Sequence, residues 1–332
     1  MPRELVKHNC KLAMDSIGGY FGLELSKGIE FHKSAIRLNT GRNALEYILL
    51  VNSYKKIYLP YFTCNVLLEP IKKLNIQVVF YSINKSFEPI FDYTKIKYDE
   101  AFLYTNYFGL KDDFVKTLSK NCTNLIIDNA QAFYSKPLEN IDSFYSPRKF
   151  FGVSDGAYLY CRKKLDTALE KDISYERFSH LLRRIDISAE DGYQDFVSND
   201  KKLINQPIKQ MSNLTQILLD SIDYNECATI RTENFDYLHK HLKNSNTLKI
   251  NHGLKSVPMV YPYWCKDKNL REKLITHKIY TPMYWPNVLD WSKKGSLENK
   301  MTKGIVYIPI DHRYNIDKMK YIISTIKSFN NA

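Results

Sequence analysis

The sequence has few cysteines, and none of them are close together in the chain. The six cysteines of the 332-residue chain lie far apart and form no Cys-x-x-Cys pair. This spacing indicates neither a zinc site nor a framework of disulfides. Reduced thiols are the simpler interpretation, and they are typical of a cytoplasmic protein.

Long apolar runs are also missing. The N-terminal stretch "MPRELVKHNCKLAMDSIGGYFG" has no apolar central region of the kind that a signal peptide requires. No run approaches the roughly 18 residues of a membrane span. The chain likewise shows no internal repeat, low-complexity tract or Gly/Ser-rich linker. We therefore expect a cytoplasmic globular protein without a membrane partner.

The charge is unbalanced but not clustered. The net charge is +12, yet the 48 Lys and Arg residues are interleaved with 36 Asp and Glu residues. No basic block stands out, so a nucleic-acid partner is not expected. A solvated basic surface is the first interpretation, and phosphorylated small molecules are compatible with it. The 25 Tyr and 17 Phe residues favour aromatic-lined pockets or interfaces.

Residues 35–160 alternate between strand-like and helix-like segments. Strand patterns occur in "AIRL", "KKIYLPY", "IQVVFYSI", "EAFLYT" and "TNLIID", with helical patterns in "GRNALEYILLV", "NVLLEPIKKLN" and "KDDFVKTLSK" between them. This order predicts an α/β fold with a mainly parallel sheet and crossover helices. Ligands of such sheets gather at the carboxyl ends of the strands.

The pattern changes downstream. "QPIKQMSNLTQILLDSIDYNECATIRTENFDYLHKHLKN" predicts a long helix, and the last eighty or so residues mix strands ("PMVYPYW", "KGIVYIPI") with helices. We expect a large domain over 1–205, followed over 206–332 by a connector helix and a smaller α/β domain.

A glycine begins the first predicted helix. The N–H groups of Arg42, Asn43 and Ala44 would point out of the helix that starts at Gly41, a geometry suited to phosphate. Arg42 adds a charged group at the same place. On this fragment alone, an ordinary turn between a strand and a helix is the simpler interpretation.

Two further positions carry charge at loop ends. Asp128 follows the apolar run "NLII" and ends a predicted strand, so it needs a partner if it is buried. It either caps a turn or pairs with a structural arginine, or it faces a cationic nitrogen of a ligand. Lys149 lies 21 residues later, between aromatic residues and a Ser-Asp-Gly turn. Partly dehydrated surroundings would suit this lysine to Schiff-base chemistry, and a solvated loop lysine is the alternative.

These three features occur in the order that pyridoxal 5'-phosphate requires. Its aldehyde binds a lysine, its pyridine nitrogen binds a carboxylate, and its phosphate binds a helix start. With these parts the chain resembles the DegT/DnrJ/EryC1/StrS family of fold-type I sugar aminotransferases. "TGRNAL" at 40–45 resembles that family's Ser-Gly-Thr-Ala-Ala-Leu, and "IDNAQA" at 127–132 resembles its Glu-Asp-Ala-Ala-Gln/His-Ala. Lys149, followed five residues later by "SDGA", resembles its lysine followed by Gly-Glu-Gly-Gly.

The resemblance implies roles for these positions. Lys149 would hold the cofactor and act as the catalytic base, Asp128 would contact the pyridine nitrogen, and Gln131 would contact the ring. Gly41 and Asn43 would contact the phosphate. Weaker matches, "YLPYFTC", "YTNYFG", "KQMSNLTQ" and "YIPIDHRYNIDKMKYI", follow in the family's order. Within the last of these, His312, Arg313 and Tyr314 either contact a carboxylate or phosphate near the active site or have a structural role.

The chain also departs from the family. Cys64 stands where the family often has an aromatic residue that stacks on the ring, so stacking is either lost or supplied by Tyr61, Phe62 or Tyr107. Phe144 replaces a phosphate-binding serine, with Ser146 nearby. Ile208 replaces an asparagine that reaches the phosphate of a partner subunit. Arg42 would compensate for the last two changes.

The resemblance implies an amino-group transfer from an amino acid, glutamate, to a keto-sugar attached to a nucleotide, in surface polysaccharide or related biosynthesis. It also implies a homodimer. Three alternatives stay open: a non-catalytic family member that acts as a binding or scaffold protein, a pyridoxal phosphate enzyme of another reaction type, and a phosphate-binding α/β enzyme without pyridoxal phosphate that binds a nucleotide at Gly41. Relatives that perform dehydration carry histidine in place of the lysine, and Lys149 argues against that branch.

Overall fold

The computed structural model describes residues 17–251, 253 and 256–330, so Cys10 lies outside the described residues. The strands are β1 Ile36–Leu38, β2 Lys56–Pro60, β3 Gln77–Ile83, β4 Pro89–Ile90, β5 Glu100–Thr105, β6 Leu125–Asn129, β7 Asp142–Tyr145, β8 Ala157–Tyr160, β9 Val260–Trp264 and β10 Ile305–Pro309. The helices are α1 Gly41–Asn52, α2 Leu68–Lys73, α3 Asp112–Asn121, α4 Ser179–Asp186, α5 Tyr193–Lys202, α6 Asn213–Asp220, α7 Tyr224–Leu242, α8 Leu270–Thr276, α9 Val288–Trp291, α10 Leu297–Gly304 and α11 Ile316–Asn330.

Eight strands form one sheet in the order β1-β8-β7-β6-β5-β2-β3-β4. The central strands β3, β2, β5, β6 and β7 are parallel to their neighbours within that group. The outer pairs β1/β8, β7/β8 and β3/β4 are antiparallel. The predicted mainly parallel sheet is therefore confirmed. Its strand β6 and the loop that follows hold Asp128 among the carboxyl ends of the parallel strands.

Apolar residues cover both faces of this sheet. Successive side chains of a strand point to opposite faces, and Ile126 and Ile127 accordingly belong to two different buried clusters. One cluster lies between the sheet and α1 and α2. The other continues into the smaller sheet formed by β9 and β10. By this alternation Asp128 shares the α1 face with Ile126.

Aromatic contacts join the smaller sheet to the larger one. The ring of Phe108 lies 5.2 Å from that of Tyr307 in β10, and the ring of Phe62 lies 4.8 Å from that of Trp285. Phe108 O also accepts a hydrogen bond from Met259 N at 2.9 Å. The long helix predicted downstream of residue 207 is instead two helices, α6 and α7. Asp223 starts the second of them, because its side chain caps the N–H of Glu226 at 2.9 Å.

The division into domains at 205/206 stays a prediction. None of the described helices combines the length and apolar character that crossing a bilayer requires. The five cysteines in the described part of the chain are free. No cluster of three or more histidine, cysteine or acidic side chains in that part could hold a metal ion.

His32 ties the N-terminal segment to the larger sheet. It is buried, its Nε2 lies 2.7 Å from Phe133 O, and its Nδ1 lies 3.1 Å from the hydroxyl of Tyr160. Because a carbonyl accepts but cannot donate, Nε2 carries the proton and Nδ1 accepts from the tyrosine. Burial lowers the pKa of His32 from 6.5 to about 4. The imidazole is therefore neutral at pH 7.

This shift predicts a loss of stability in mild acid. Between pH 6.5 and about 4 the unfolded chain binds a proton at His32 and the folded chain does not, so acid favours unfolding. The shift corresponds to about 3 kcal/mol across that interval. His32→Gln should flatten this part of the pH dependence in urea unfolding measured from pH 7 to pH 4. An unchanged slope in the variant would contradict the assignment.

Candidate functional site

Asp128 is the last but one residue of β6 and lies on the sheet face that α1 covers. It stands in register with Thr105 of β5 and Phe144 of β7, and it is 6% exposed. Its Oδ1 accepts a hydrogen bond from Ala130 N at 2.8 Å. Burial raises the pKa of Asp128, and the positive charge of Lys149 opposes that rise. The carboxylate and the lysine are thus close enough to interact, and the buried anion favours a cationic partner.

Lys149 ends the short 3-10 helix Pro147–Lys149 that follows β7. The next two residues, Phe150 and Phe151, are buried, whereas Lys149 is exposed. The prediction that this lysine has partly dehydrated surroundings is therefore wrong for the chain alone. The aromatic rings point away from the amine into the core, where Phe150 and Phe151 pack against Phe133 at 5.6 and 4.9 Å. The amine is free to contact a small molecule.

Gln131 lies in the loop just after β6. It is 1% exposed, yet neither its Nε2 nor its Oε1 has a hydrogen-bond partner among the described residues. A buried amide with both ends unpaired costs free energy unless a ligand satisfies it. Gln131 is three residues from Asp128, so one small molecule with polar groups could satisfy both side chains.

The start of α1 lies on the same face of the sheet. Thr40 caps the helix by accepting from Asn43 N, and its hydroxyl donates to Asn43 Oδ1 at 2.5 Å. The side-chain amide of Asn43 donates to Gln206 O at 2.8 Å, so this side chain is already occupied. A Cβ on Gly41 would lie 3.8 Å from the ring of Phe144, next to Asp128 in the sheet. The helix start and the carboxylate therefore flank a common region.

Arg42 is paired within the protein. Its Nη1 lies 3.0 Å from Glu69 Oε2 and donates to Leu203 O at 3.2 Å, and the side chain is 10% exposed. A phosphate contact from Arg42 would require the guanidinium to leave both partners. Phe144, which takes the place of a phosphate-binding serine, is buried beneath the helix start. Ser146 lies nearby and is partly exposed, which leaves its hydroxyl available.

The aromatic residues expected to stack on a cofactor differ in their exposure. Phe62 is fully buried with its ring 4.8 Å from that of Trp285, and its assignment as a cofactor contact stays a prediction. Tyr107 is fully buried as well and donates its hydroxyl to Phe62 O at 2.9 Å. Tyr61 is partly exposed and stacks on Phe80 at 5.0 Å. Cys64 is also partly exposed, so these last two positions keep an accessible surface.

A buried network behind Lys149 was not predicted from the sequence. Asp155 is fully buried and accepts hydrogen bonds from Ser212 N at 3.0 Å, from Ser212 Oγ at 2.9 Å and from the hydroxyl of Thr215. Gly156 has φ +115 and donates to Asn39 O at 2.6 Å. Together they connect the lysine loop with the start of α6 and the approach to α1. No local sequence pattern indicates that "SDGA" and "MSNL" contact each other.

Asp155→Ala should destabilise the fold. The change removes the acceptor for four buried donors, at a cost of about 3 kcal/mol. Urea unfolding would measure it. Asp200→Ala is the matched control, because that carboxylate pairs with Arg148 at 2.5 Å but is 46% exposed; its loss should cost less than about 1 kcal/mol. Equal unfolding midpoints for the two variants would argue against a supporting role for Asp155.

A separate cavity lies on the other face of the sheet. It has a volume of about 210 Å³, and its lining includes Asn106, Asp112, Asn129 and Ser143. Because Asn129 points to the face opposite Asp128, this cavity is not part of the region between Asp128 and α1. His312 and Arg313 are not part of it either. Arg313 is paired with Asp311 at 2.6 Å, as expected for the structural alternative.

Among known proteins, the chain is similar to solved structures. No family model matches the sequence, and a search of curated proteins finds no match. A DegT DnrJ EryC1 StrS aminotransferase from Brucella abortus has a similar structure, with a TM-score of 0.60 at 14% identity over 89% of this chain and 85% of that one. DesV from S. venezuelae, solved with a ketimine intermediate, gives 0.63 at 14% identity over 89% and 84%. The GDP-4-keto-6-deoxymannose-3-dehydratase ColD, solved with GDP-perosamine, gives 0.60 at 13% identity over 88% and 87%.

These likenesses confirm the predicted fold. The chain has the α/β fold of these aminotransferases and of the dehydratase, and it spans more than four fifths of each. At this level of identity they define the architecture, whereas the chemistry depends on the residues of this chain.

Proposed function

We propose that this protein is a pyridoxal 5'-phosphate-dependent aminotransferase. It would transfer an amino group from an amino acid, glutamate, to a keto-sugar linked to a nucleotide, as in the biosynthesis of surface polysaccharides. The observation that carries the proposal is the placement of Asp128, Gln131 and Lys149. A buried carboxylate lies near an exposed lysine, and an unpartnered buried amide follows that carboxylate by three residues.

The residues present fit this cofactor at most positions. Asp128 would hold the pyridine nitrogen, Gln131 would satisfy its amide against the ring substituents, and Lys149 would bind the aldehyde. The N–H groups at the start of α1, from Gly41, and the hydroxyl of Ser146 would receive the phosphate. When bound, the cofactor supplies the aldehyde that carries the amino group and a ring that withdraws electrons.

The side chains of the protein move and stabilise charge in this reaction. Lys149 Nζ would take the α-proton of the amino donor and would give a proton back within the same half-reaction. Its exposed position on a short turn gives the amine the reach for both tasks. Asp128 would place its carboxylate against the ring nitrogen, where a negative charge would favour the protonated form of that nitrogen.

A second candidate function rests on the phosphate end of the site. Phe144 is buried beneath Gly41, and Arg42 is paired with Glu69, so two groups that should serve a phosphate do not face it freely. These features favour a family member that has lost catalysis and binds a partner instead.

One experiment separates the two candidates. Purified protein is mixed with pyridoxal phosphate, and absorbance is recorded before and after borohydride, followed by peptide mapping. The aminotransferase proposal predicts a near-visible band that borohydride removes, with the added mass on Lys149. It also predicts that amino acids abolish the band and that a keto-sugar nucleotide restores it. A protein that gains no band and no added mass is the binding protein. Release of water from the sugar without net amino transfer would indicate dehydration, the activity in the name of ColD.

A homodimer is part of the proposal. Large apolar side chains are exposed between residues 173 and 204, and they are Ile173, Tyr175, Leu182, Ile185, Ile187, Tyr193, Phe196 and Ile204. A monomer rarely exposes so much apolar surface in one segment. We expect a mass of two chains in light scattering, and Ile185→Asp with Ile187→Asp should shift it to one. A wild-type monomer at micromolar concentration would contradict this expectation.

A further inference from the structure

Arg231 is a buried cation in the middle of α7. It is 1% exposed, and its guanidinium lies 4.7 Å from the centre of the Phe150 ring. Nη2 donates to Phe150 O at 3.2 Å, and Nη1 donates to Met259 O at 3.3 Å. Its Nε has no partner among the described residues. The guanidinium therefore bonds to the main chain of two segments that are far apart in sequence.

A buried arginine normally pairs with a carboxylate, because an unpaired buried charge is costly. Burial lowers the pKa of Arg231, and the negative charge of Asp311 opposes that lowering. That carboxylate, however, is engaged with Arg313 through bonds of 2.6 and 2.9 Å. The buried guanidinium of Arg231 therefore contacts two main-chain carbonyl groups and the face of an aromatic ring.

One of those carbonyls belongs to the residue that follows Lys149. Phe150 N and Phe151 N both donate to Pro147 O at 2.9 Å, so the turn that carries the lysine is compact. Bonding Phe150 O fixes the direction in which this turn presents Lys149. The other carbonyl, Met259 O, directly precedes β9 of the smaller sheet.

We propose that Arg231 is a positioning residue for Lys149, which joins the lysine turn to the smaller sheet through its two carbonyl bonds and its contact with the Phe150 ring. This inference rests on the proposed function, because the position of the Lys149 amine matters for catalysis only if Lys149 binds the cofactor. Movement of the smaller sheet would reach Lys149 through this side chain.

Two variants and one control test the proposal. Arg231→Met removes the charge and both bonds, and Arg231→Lys keeps the charge but cannot form the planar fork. Asn234→Ala is the control. Asn234 lies one turn further along α7, is 1% exposed, and donates to Ile310 O at 3.1 Å and Tyr314 O at 2.7 Å. It makes buried main-chain bonds of the same kind without touching the lysine turn.

The first measurement is hydrogen exchange in the cofactor-free protein. Loss of a bond from a charged donor predicts about tenfold faster exchange at the amides of Phe150 and Phe151 in Arg231→Met, and no such change in Asn234→Ala. Unchanged exchange at these amides in both Arg231 variants would overturn the proposal. If Arg231→Met does not fold, Arg231→Lys decides.

The second measurement is the rate at which borohydride traps pyridoxal phosphate on Lys149. We expect about a tenfold decrease in Arg231→Met, partial recovery in Arg231→Lys and the wild-type rate in Asn234→Ala. Wild-type trapping in a folded Arg231→Met protein would refute the positioning role. If the wild type itself traps nothing, the proposed function fails, and hydrogen exchange still shows whether Arg231 holds the turn.

Discussion

Replacing Lys149 with alanine should abolish covalent capture of pyridoxal phosphate and lower the rate of amino transfer by at least about a thousandfold. The same amine has two tasks, since it binds the aldehyde and carries the proton of the amino donor. Its loss removes both, and no other lysine follows a strand end beside Asp128 in the described residues. Borohydride trapping with peptide mapping measures the first task, and donor-dependent loss of the absorption band measures the second.

Lys163→Ala is the matched control for that experiment. Lys163 is an exposed lysine just beyond β8, and its removal should change neither readout. Trapping of equal extent in Lys149→Ala and the wild type would show that the reactive amine lies elsewhere. The folded state of Lys149→Ala should be intact, because an exposed side chain contributes little to packing.

Asp128→Asn should have the second largest effect, and its two consequences have opposite signs. The amide oxygen keeps the hydrogen bond from Ala130 but loses the negative charge that holds a protonated ring nitrogen. We expect the turnover rate to fall about a hundredfold to a thousandfold. The cofactor-free protein should become more stable at pH 7, because burial raises the pKa of Asp128 and the ionised form is costly.

This combination separates a charge effect from damage to the fold. A general disruption would lower both turnover and stability, whereas the proposed role lowers turnover alone. Asp113→Asn provides the comparison, since that carboxylate is 76% exposed on α3 and should affect neither. Unimpaired turnover in Asp128→Asn would remove the main physical reason for the proposed chemistry.

The larger sheet could be predicted because each element carries its own local signal. The apolar runs of β2, β3, β5 and β6 and the glycine that begins α1 lie where the patterns place them. The break between α6 and α7 was missed, because the apolar periodicity continues across it. Asp223 is a good helix cap, but an aspartate inside a helical pattern also reads as a surface residue.

Contacts between distant residues could not be predicted from local pattern. The bonds between Asp155 and Ser212 join positions 57 residues apart, and the resemblance of both segments to family motifs gave no reason to pair them. Phe62 shows the same limit, because an aromatic ring of the core and one of a binding cleft look alike in sequence. Arg231 was overlooked, since an arginine in an amphipathic helix is ordinarily a solvated one.

The two edge strands of the eight-stranded sheet expose few unpaired backbone N–H and C=O groups. At one margin β4 has two residues. At the other, β1 has three residues, and its outer side is covered by the segment 209–211, where Asn39 N donates to Lys209 O at 3.0 Å and Met211 N donates to Arg37 O at 3.3 Å. Short or covered edge strands resist aggregation by strand pairing between molecules. Copies of this chain should consequently not extend the sheet into a filament, even when the protein is concentrated.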